Sequence, residues 1–163
     1  MLSKPMQQAL NRQINAEFYS AYLYLAMSAH FEKTNLRGMA HWMRVQYQEE
    51  TAHGLKIFDY LHDREAEVSL TQVDTPKGDV ETPLKAFELA LEHEREVTAM
   101  IGELVDLAAK ERDHATQVFL HWFVNEQVEE ESTASQIVQQ LRLVGNNANG
   151  LFMMDRHLGS RSG

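Results

Sequence analysis

The stretch Glu49-Glu50-Thr51-Ala52-His53 decides the fold. Glu50 and His53 are three residues apart, so on a helix they project from the same face. Apolar residues continue along that face at steps of three and four, with Met43 before the motif and Ile57 after it. The sequence therefore predicts a helix whose core-facing stripe carries a carboxylate and an imidazole, a pair of side chains suited to binding a metal ion.

Three other segments carry polar groups at the same level of their apolar stripes, namely Glu17, Glu94, and Gln127 with Glu130. The spacing repeats, because Glu17 and Glu50 are 33 residues apart and so are Glu94 and Gln127. A single acid in an apolar stripe usually indicates a misassigned helix face, but four acids at matched offsets are harder to explain in that way.

Four ionised carboxylates in one core would be costly unless cations neutralised them. Two divalent cations balance the charge of four glutamates, so the pattern predicts a dinuclear metal site. His53 would be a nitrogen ligand, and Gln127 a neutral hydrogen-bonding group or a weak oxygen ligand. One glutamate from each of two helices together with Glu-x-x-His motifs is the signature of di-iron four-helix bundles.

Helix-start signals at Ser3, Asn35, Thr82 and Asp113 divide the chain into long helical segments. The predicted helices cover approximately 6–33, 36–64, 83–111 and 114–144. Each would be ~43 Å long at ~1.5 Å per residue. Short connections predict two antiparallel hairpins, and the long stretch Glu65 to Thr82, with Pro76 and Gly78, predicts a crossover along the bundle.

The C-terminal part of the sequence predicts a short addition to this bundle. Gly145 is expected to end the fourth helix, residues 146–150 to form a turn, and a short fifth helix to follow at about 151–158. Residues 159–163 are expected to be a loose tail. The predicted fold class is thus an all-α four-helix bundle with one long crossover, with residues 1–163 in a single domain.

Composition limits the partners of the chain. The 163 residues hold 24 Asp and Glu against 15 Lys and Arg, for a net charge of −9, and no basic cluster. Cysteine is absent, so a metal must bind through carboxylate, imidazole or amide groups. No apolar run approaches ~18 residues, and no apolar signal segment is seen at the N-terminus. We expect no nucleic-acid or membrane partner, and a cytoplasmic location.

Three separated motifs resemble those of the bacterial non-haem ferritins: Asn15 to Leu25, Glu49 to His53, and Asn125 to Glu130. The resemblance covers essentially the whole chain. It implies a ferritin-like bundle that assembles as a homo-oligomeric shell of twenty-four subunits. It also implies binding of ferrous iron, oxidation by dioxygen or hydrogen peroxide, and storage of a ferric mineral. A mixed shell with a sister subunit stays open.

The resemblance also implies roles for individual residues. Glu17, Glu50 and His53 would hold a first iron, and Glu50, Glu94 and Glu130 a second, with Glu50 bridging and Gln127 alongside. A third iron would lie near Glu130, at residues that could otherwise form a solvated acidic face: Glu49, Glu126 and Glu129. Tyr24 would supply an electron or a hydrogen bond, although a core tyrosine would look the same in sequence.

Several positions depart from related patterns. Bacterioferritins have a second Glu-x-x-His and a haem-binding Met after the first Glu; here Glu130 and Thr51 stand there, so no haem is expected. Gln117 and Leu120 occupy the places of acids that line the three-fold channels of animal ferritins, which leaves the iron access route open. Met153 and Met154 are interpreted as packing residues rather than ligands.

Two other functions fit parts of the pattern. A di-iron oxidase or peroxidase that keeps its metals would use the same bundle, but it should have two similar histidine-bearing halves. A metal-free structural or regulatory bundle would require the acids of the stripes to face solvent.

Overall fold

The computed structural model describes residues 1–76 and 80–163, so the predicted turn residue Gly78 lies outside the described residues. The described residues form the helices α1 Lys4–Lys33, α2 Arg37–Asp63, α3 Pro83–Glu111, α4 His114–Val144 and α5 Ala148–Gly159. α1 packs against α2, α3 against α4, and α1 against α3. The predicted all-α bundle with a short fifth helix is confirmed, with boundaries within three residues of those expected from sequence.

Three of the four predicted helix starts have the expected caps. The side chains of Ser3, Thr82 and Asp113 each accept a hydrogen bond from the backbone amide three residues later, at 3.1, 3.2 and 3.1 Å. These bonds satisfy amides that have no partner within the helix.

The prediction of Asn35 as the cap of α2 is wrong. Asn35 has a φ of 60°, and the amide of the next residue, Leu36, donates to the carbonyl of Phe31 at 3.0 Å. This is the Schellman ending of α1, in which asparagine adopts the left-handed backbone that few residues tolerate. α2 therefore begins without a cap of its own. Asp155 of α5 supplies one, because its Oδ1 accepts from the Met39 amide at 2.8 Å.

The crossover lies along α1 and runs in the same direction as that helix. The Asn11 side chain donates to the carbonyl of Glu67 at 3.0 Å, and one turn later Asn15 donates to the carbonyl of Gln72 at 2.9 Å. The chain is thus carried back towards the end of the bundle where α1 finishes. α3 starts there, so the second hairpin lies in register with the first.

Two apolar clusters fill the bundle, one in each half. Around Tyr24 and Phe87, the first cluster contains the C-terminal half of α1 and the N-terminal half of α2, together with α5. The second contains Leu10, Ile57 and Phe123 in the other half. Between the clusters lies a layer of buried polar side chains, and the candidate site is built from this layer.

The C-terminal residues differ from the predicted loose tail. α5 is longer than expected, starts after Asn147 and includes Gly159. Its Met154 and Leu158 side chains are buried in the first apolar cluster, whereas Met153 is exposed. A Cβ at Gly38 of α2 would lie 1.7 Å from the Asp155 carbonyl oxygen, so α5 packs directly on the backbone of α2. Beyond α5 the chain continues along α2, where Arg161 contacts Glu49.

We expect the substitution Asp155→Ala to destabilise the protein by about 1 kcal/mol, because α2 would lose the acceptor at its uncapped end. Asp155→Asn keeps the acceptor and should cost less. The measurement is guanidinium unfolding of the metal-free protein, followed by far-UV circular dichroism. Asp106→Ala, an exposed acid of α3, is the control. Equal midpoints for Asp155→Ala and wild type would contradict this role.

Candidate metal centre

Six polar side chains meet midway along the four long helices, and they are called the acidic layer. Each is at most 9% exposed, although four of the six are carboxylic acids. The members are Glu17 from α1, Glu50 and His53 from α2, Glu94 from α3, and Gln127 and Glu130 from α4. All lie on the apolar stripes that the periodicity predicts. The four helices bring them to one level because each contributes its central turns.

Ligand atoms of the acidic layer lie close enough to share cations. Single atoms of Glu17, Glu50 and His53 lie within 4.8 Å of one another, and so do atoms of Glu50, Glu94 and Glu130. Glu50 belongs to both groups. His53 Nδ1 is 3.5 Å from Glu50 Oε2 and 3.8 Å from Glu17 Oε2. The arrangement can accommodate two neighbouring cations, of which only one would have a nitrogen ligand.

A third group lies beside the acidic layer. It consists of His53, Glu126 and Glu130, with His53 Nε2 4.0 Å from Glu126 Oε2, and is called the side group. Of the other two acids predicted for a third iron, Glu49 accepts a hydrogen bond from Arg161 at 2.6 Å. Glu129 is exposed and belongs to none of the three groups that the described residues form.

Neutral amides hold several of the carboxylates. Gln13 Nε2 donates to Glu17 Oε1 at 2.8 Å, and Gln46 Nε2 donates to Glu130 Oε2 at 3.0 Å. Sequence reasoning missed Gln13, although its position four residues before Glu17 on one helix was a usable signal. Gln46 was likewise given no role, although it is four residues before Glu50 on the same helix. These amides orient the carboxylates but carry no charge that would neutralise them.

Glu94 has two partners of its own. Gln127 Nε2 donates to Glu94 Oε2 at 3.2 Å and to the Glu94 carbonyl at 3.1 Å. The Tyr24 hydroxyl donates to Glu94 Oε1. Burial raises the pKa of Tyr24 well above its usual value, and the Glu94 charge raises it further. The tyrosine therefore stays a hydrogen-bond donor at neutral pH and fixes one oxygen of Glu94.

The carboxylates strongly resist ionisation. Burial, followed by repulsion from Glu94, raises the pKa of Glu50 well above its usual value, and burial also raises the pKa of Glu17. Burial raises the pKa of Glu94 and of Glu130 to about 7 each. Glu17 Oε2 and Glu50 Oε1 are buried and have no hydrogen-bond partner among the described residues. Bound cations would supply the missing partners and the missing charge.

Positions that depart from related patterns have ordinary surroundings. Thr51 donates its hydroxyl to the Tyr47 carbonyl at 2.8 Å. Leu120 is fully buried in the second apolar cluster, so its side chain is part of the core of its own subunit. Gln117 is half-buried in the first turn of α4.

In the part of the chain that the structure describes, no helix is both long and apolar enough to cross a bilayer.

The comparisons with known proteins agree with this geometry. A family model described as the ferritin-like domain matches residues 7–144. The bacterial non-heme ferritin of Bacteroides fragilis is 45% identical over 161 residues, which are 99% of this chain and 100% of that protein. The chain belongs to the ferritin family. The family resemblance seen in the motifs is thereby confirmed, and iron storage is the function of this ferritin.

Other relatives are similarly complete matches. The bacterial non-heme ferritin of Staphylococcus aureus is 39% identical over 162 residues, which are 99% of this chain and 98% of that protein. A crystal structure of an open pore ferritin from the hyperthermophilic archaeon Archaeoglobus fulgidus is 49% identical, with a TM-score of 0.98. The match covers 99% of this chain and 100% of that one. The ferritin-like bundle therefore extends over nearly the whole chain.

The raised carboxylate pKa values predict how the stability of the metal-free ferritin depends on pH. Glu94 and Glu130 have pKa values of about 7 in the folded protein and a usual value of 4.5. Between these values the folded protein binds protons that the unfolded chain has released. The contribution of these groups to stability is therefore present at low pH and is lost as the pH rises through about 7.

We expect the free energy of unfolding of the metal-free protein to fall between about pH 5 and about pH 8. The double substitution Glu94→Gln and Glu130→Gln should flatten this dependence, whereas Glu92→Gln, at an exposed position of α3, should not. Guanidinium unfolding at a series of pH values is the measurement. A stability that rises over this range, or a slope that is the same in the double variant, would refute the prediction.

Proposed function

We propose that this ferritin binds ferrous iron at the acidic layer, oxidises it there, and passes ferric iron to a mineral stored inside a cage. The observation that carries the proposal is the pair of ligand groups that share Glu50 in a layer buried between two apolar clusters. A carboxylate layer of this kind neutralises two divalent cations and has little other use in a bundle core.

The first position would be formed by Glu17, Glu50 and His53, and the second by Glu50, Glu94 and Glu130. Gln127 would stay alongside, since its amide already donates to Glu94. Cation binding would displace the protons that burial retains on Glu94 and Glu130. Two ferrous ions would then supply two electrons, which together with two protons reduce dioxygen to hydrogen peroxide, or hydrogen peroxide to two molecules of water.

The two positions differ in ligand type, and this favours passage of iron over permanent residence. The first position has an imidazole, whereas the second has only oxygen ligands. Oxygen ligands alone hold iron less tightly than sets that include nitrogen, so the second ion should leave more readily. A resident di-iron enzyme would need comparable affinity at both positions.

Further parts of the proposal rest on the family resemblance. A third position would lie at the side group, with Glu126 and Glu130 as ligands and Glu49 and Glu129 nearby. Tyr24 would position Glu94 through its hydrogen bond, or supply an electron during oxidation. The shell would contain twenty-four copies of this chain, with dioxygen or hydrogen peroxide as the oxidant and the cytoplasm as the location.

Aerobic addition of ferrous iron should produce a fast oxidation phase that consumes about two irons per subunit before slower mineral growth. His53→Ala or Glu17→Ala should slow the fast phase by at least about tenfold, a loss that even changes outside the ligand sphere can cause at metal sites. Stopped-flow absorbance of the ferric product is the measurement. His121→Ala, an exposed histidine of α4, is the matched control and should leave the rate unchanged.

The result that would count against this site is a fast phase of normal rate and amplitude in both His53→Ala and Glu17→Ala. A second addition of ferrous iron separates storage from a resident di-iron enzyme. If iron moves on to the mineral, the fast phase returns after a delay. If the metals stay in place, it does not return.

The cage has its own test. Light scattering of the protein in neutral buffer, with and without iron, should show a particle close to twenty-four subunits in both samples. Assembly does not require the acidic layer to be filled, so His53→Ala should give the same particle. A particle no larger than a dimer would exclude storage inside a shell, even if the oxidation kinetics were as expected.

A further inference from the structure

Arg161, in the segment after α5, contacts three residues along one side of α2. Its carbonyl accepts a hydrogen bond from His41 Nε2 at 2.8 Å, and its guanidinium lies over the Trp42 ring, 4.7 Å from the centroid. Its Nη2 donates to Glu49 Oε2 at 2.6 Å. Glu49 is eight residues after His41 and seven after Trp42, about two helical turns, so these contacts follow one side of α2.

Glu49 is placed where its charge affects the metal centre. It is four residues before His53 on α2, so the two side chains are neighbours on one face of that helix. His53 in turn belongs to the side group with Glu126 and Glu130. A cation at the side group would therefore gain from an unpaired Glu49, either as a ligand or as a neighbouring charge. In the structure, the Arg161 guanidinium already donates a hydrogen bond to that carboxylate.

We propose that Arg161 is an internal competitor that lowers the affinity of the side group for a divalent cation. Its guanidinium donates a hydrogen bond to Glu49, so a cation at the side group has to compete with Arg161 for that carboxylate. This inference rests on the proposed function, because it concerns iron beyond the two positions of the acidic layer. Its effect is to keep the side group weakly occupied, so that iron passes through it rather than accumulating.

The contact is suited to reversible competition. The Arg161 side chain is 22% exposed and that of Glu49 is 42% exposed, so water weakens the ion pair. Arg161 Nη1 is buried and has no hydrogen-bond partner among residues 1–76 and 80–163. The guanidinium therefore pairs with Glu49 through one nitrogen instead of two, which is the weaker form of an arginine–carboxylate pair. A divalent cation can displace it without unfolding α5.

The test is an anaerobic titration of the metal-free protein with cobalt(II), followed by calorimetry and by visible absorption. In wild type, we expect two tighter cobalt ions per subunit at the acidic layer and a weaker one at the side group. Arg161→Gln should tighten binding of the weaker ion by roughly two- to fivefold, the range expected from removing a partly exposed charge pair. It should leave the two tighter ions unchanged.

Three further variants separate competition from a structural effect. Arg156→Gln removes an exposed arginine of α5 and should behave as wild type. Arg161→Lys keeps a positive charge beside Glu49, so the affinity for the third cobalt should stay nearly as low as in wild type. Glu49→Gln should weaken binding of the third cobalt. Adding Arg161→Gln to that variant should produce no gain in affinity for the third cobalt. Circular dichroism of each variant checks that the helices are intact.

Unchanged affinity for the third cobalt in Arg161→Gln would overturn the proposal, and so would a gain that persists in the Glu49→Gln background. Absence of a third cobalt in every variant would also overturn it. These failures are distinguishable from failure of the proposed function, in which wild type would take up neither of the two tighter cobalt ions. Two tight ions together with an unaffected third would reject the role of Arg161 alone.

Discussion

The cost of enclosing carboxylates in a helical core governs this ferritin. Glu17, Glu50, Glu94 and Glu130 are nearly inaccessible to water, and their hydrogen-bond donors are neutral amides and a tyrosine hydroxyl. In the metal-free state, protons are the available means of reducing the negative charge. A bound divalent cation achieves the same result at neutral pH, so the site is electrostatically prepared for metal before metal arrives.

The rest of the bundle makes such a layer tolerable. An apolar cluster lies on each side of it, so hydrophobic burial in both halves of the long helices offsets the polar middle. The crossover along α1 determines where α3 begins and thereby brings Glu94 to the level of Glu17. A shift of α3 by one turn would move Glu94 by about 5 Å and separate it from Glu50. Helix length and crossover length are thus constraints on the site as well as on the fold.

The acidic layer could be predicted from sequence because helical periodicity is rigid. Glu50 and His53 define the core-facing side of α2, and steps of three and four residues identify the other side chains on that side. The repeated 33-residue spacing then places the acids of the different helices at the same height in the bundle. The features that could not be predicted from the sequence depend on contacts between distant segments. Asn35 resembles a cap but serves the end of α1, and the actual acceptor, Asp155, is 116 residues from its partner. The pairing of Arg161 with Glu49 likewise depends on where α5 packs, which no local pattern specifies.

The charge balance of the proposed reaction gives the iron a reason to move. Four carboxylates match the charge of two ferrous ions, but two ferric ions carry two further positive charges. Within the acidic layer, that excess must be met by hydroxide from water or by departure of an ion. Glu126 lies beside His53 and Glu130 in a more accessible position, so it offers the nearest additional negative charge. An acidic layer that is balanced for the substrate and unbalanced for the product favours oxidation followed by release, which is what storage requires.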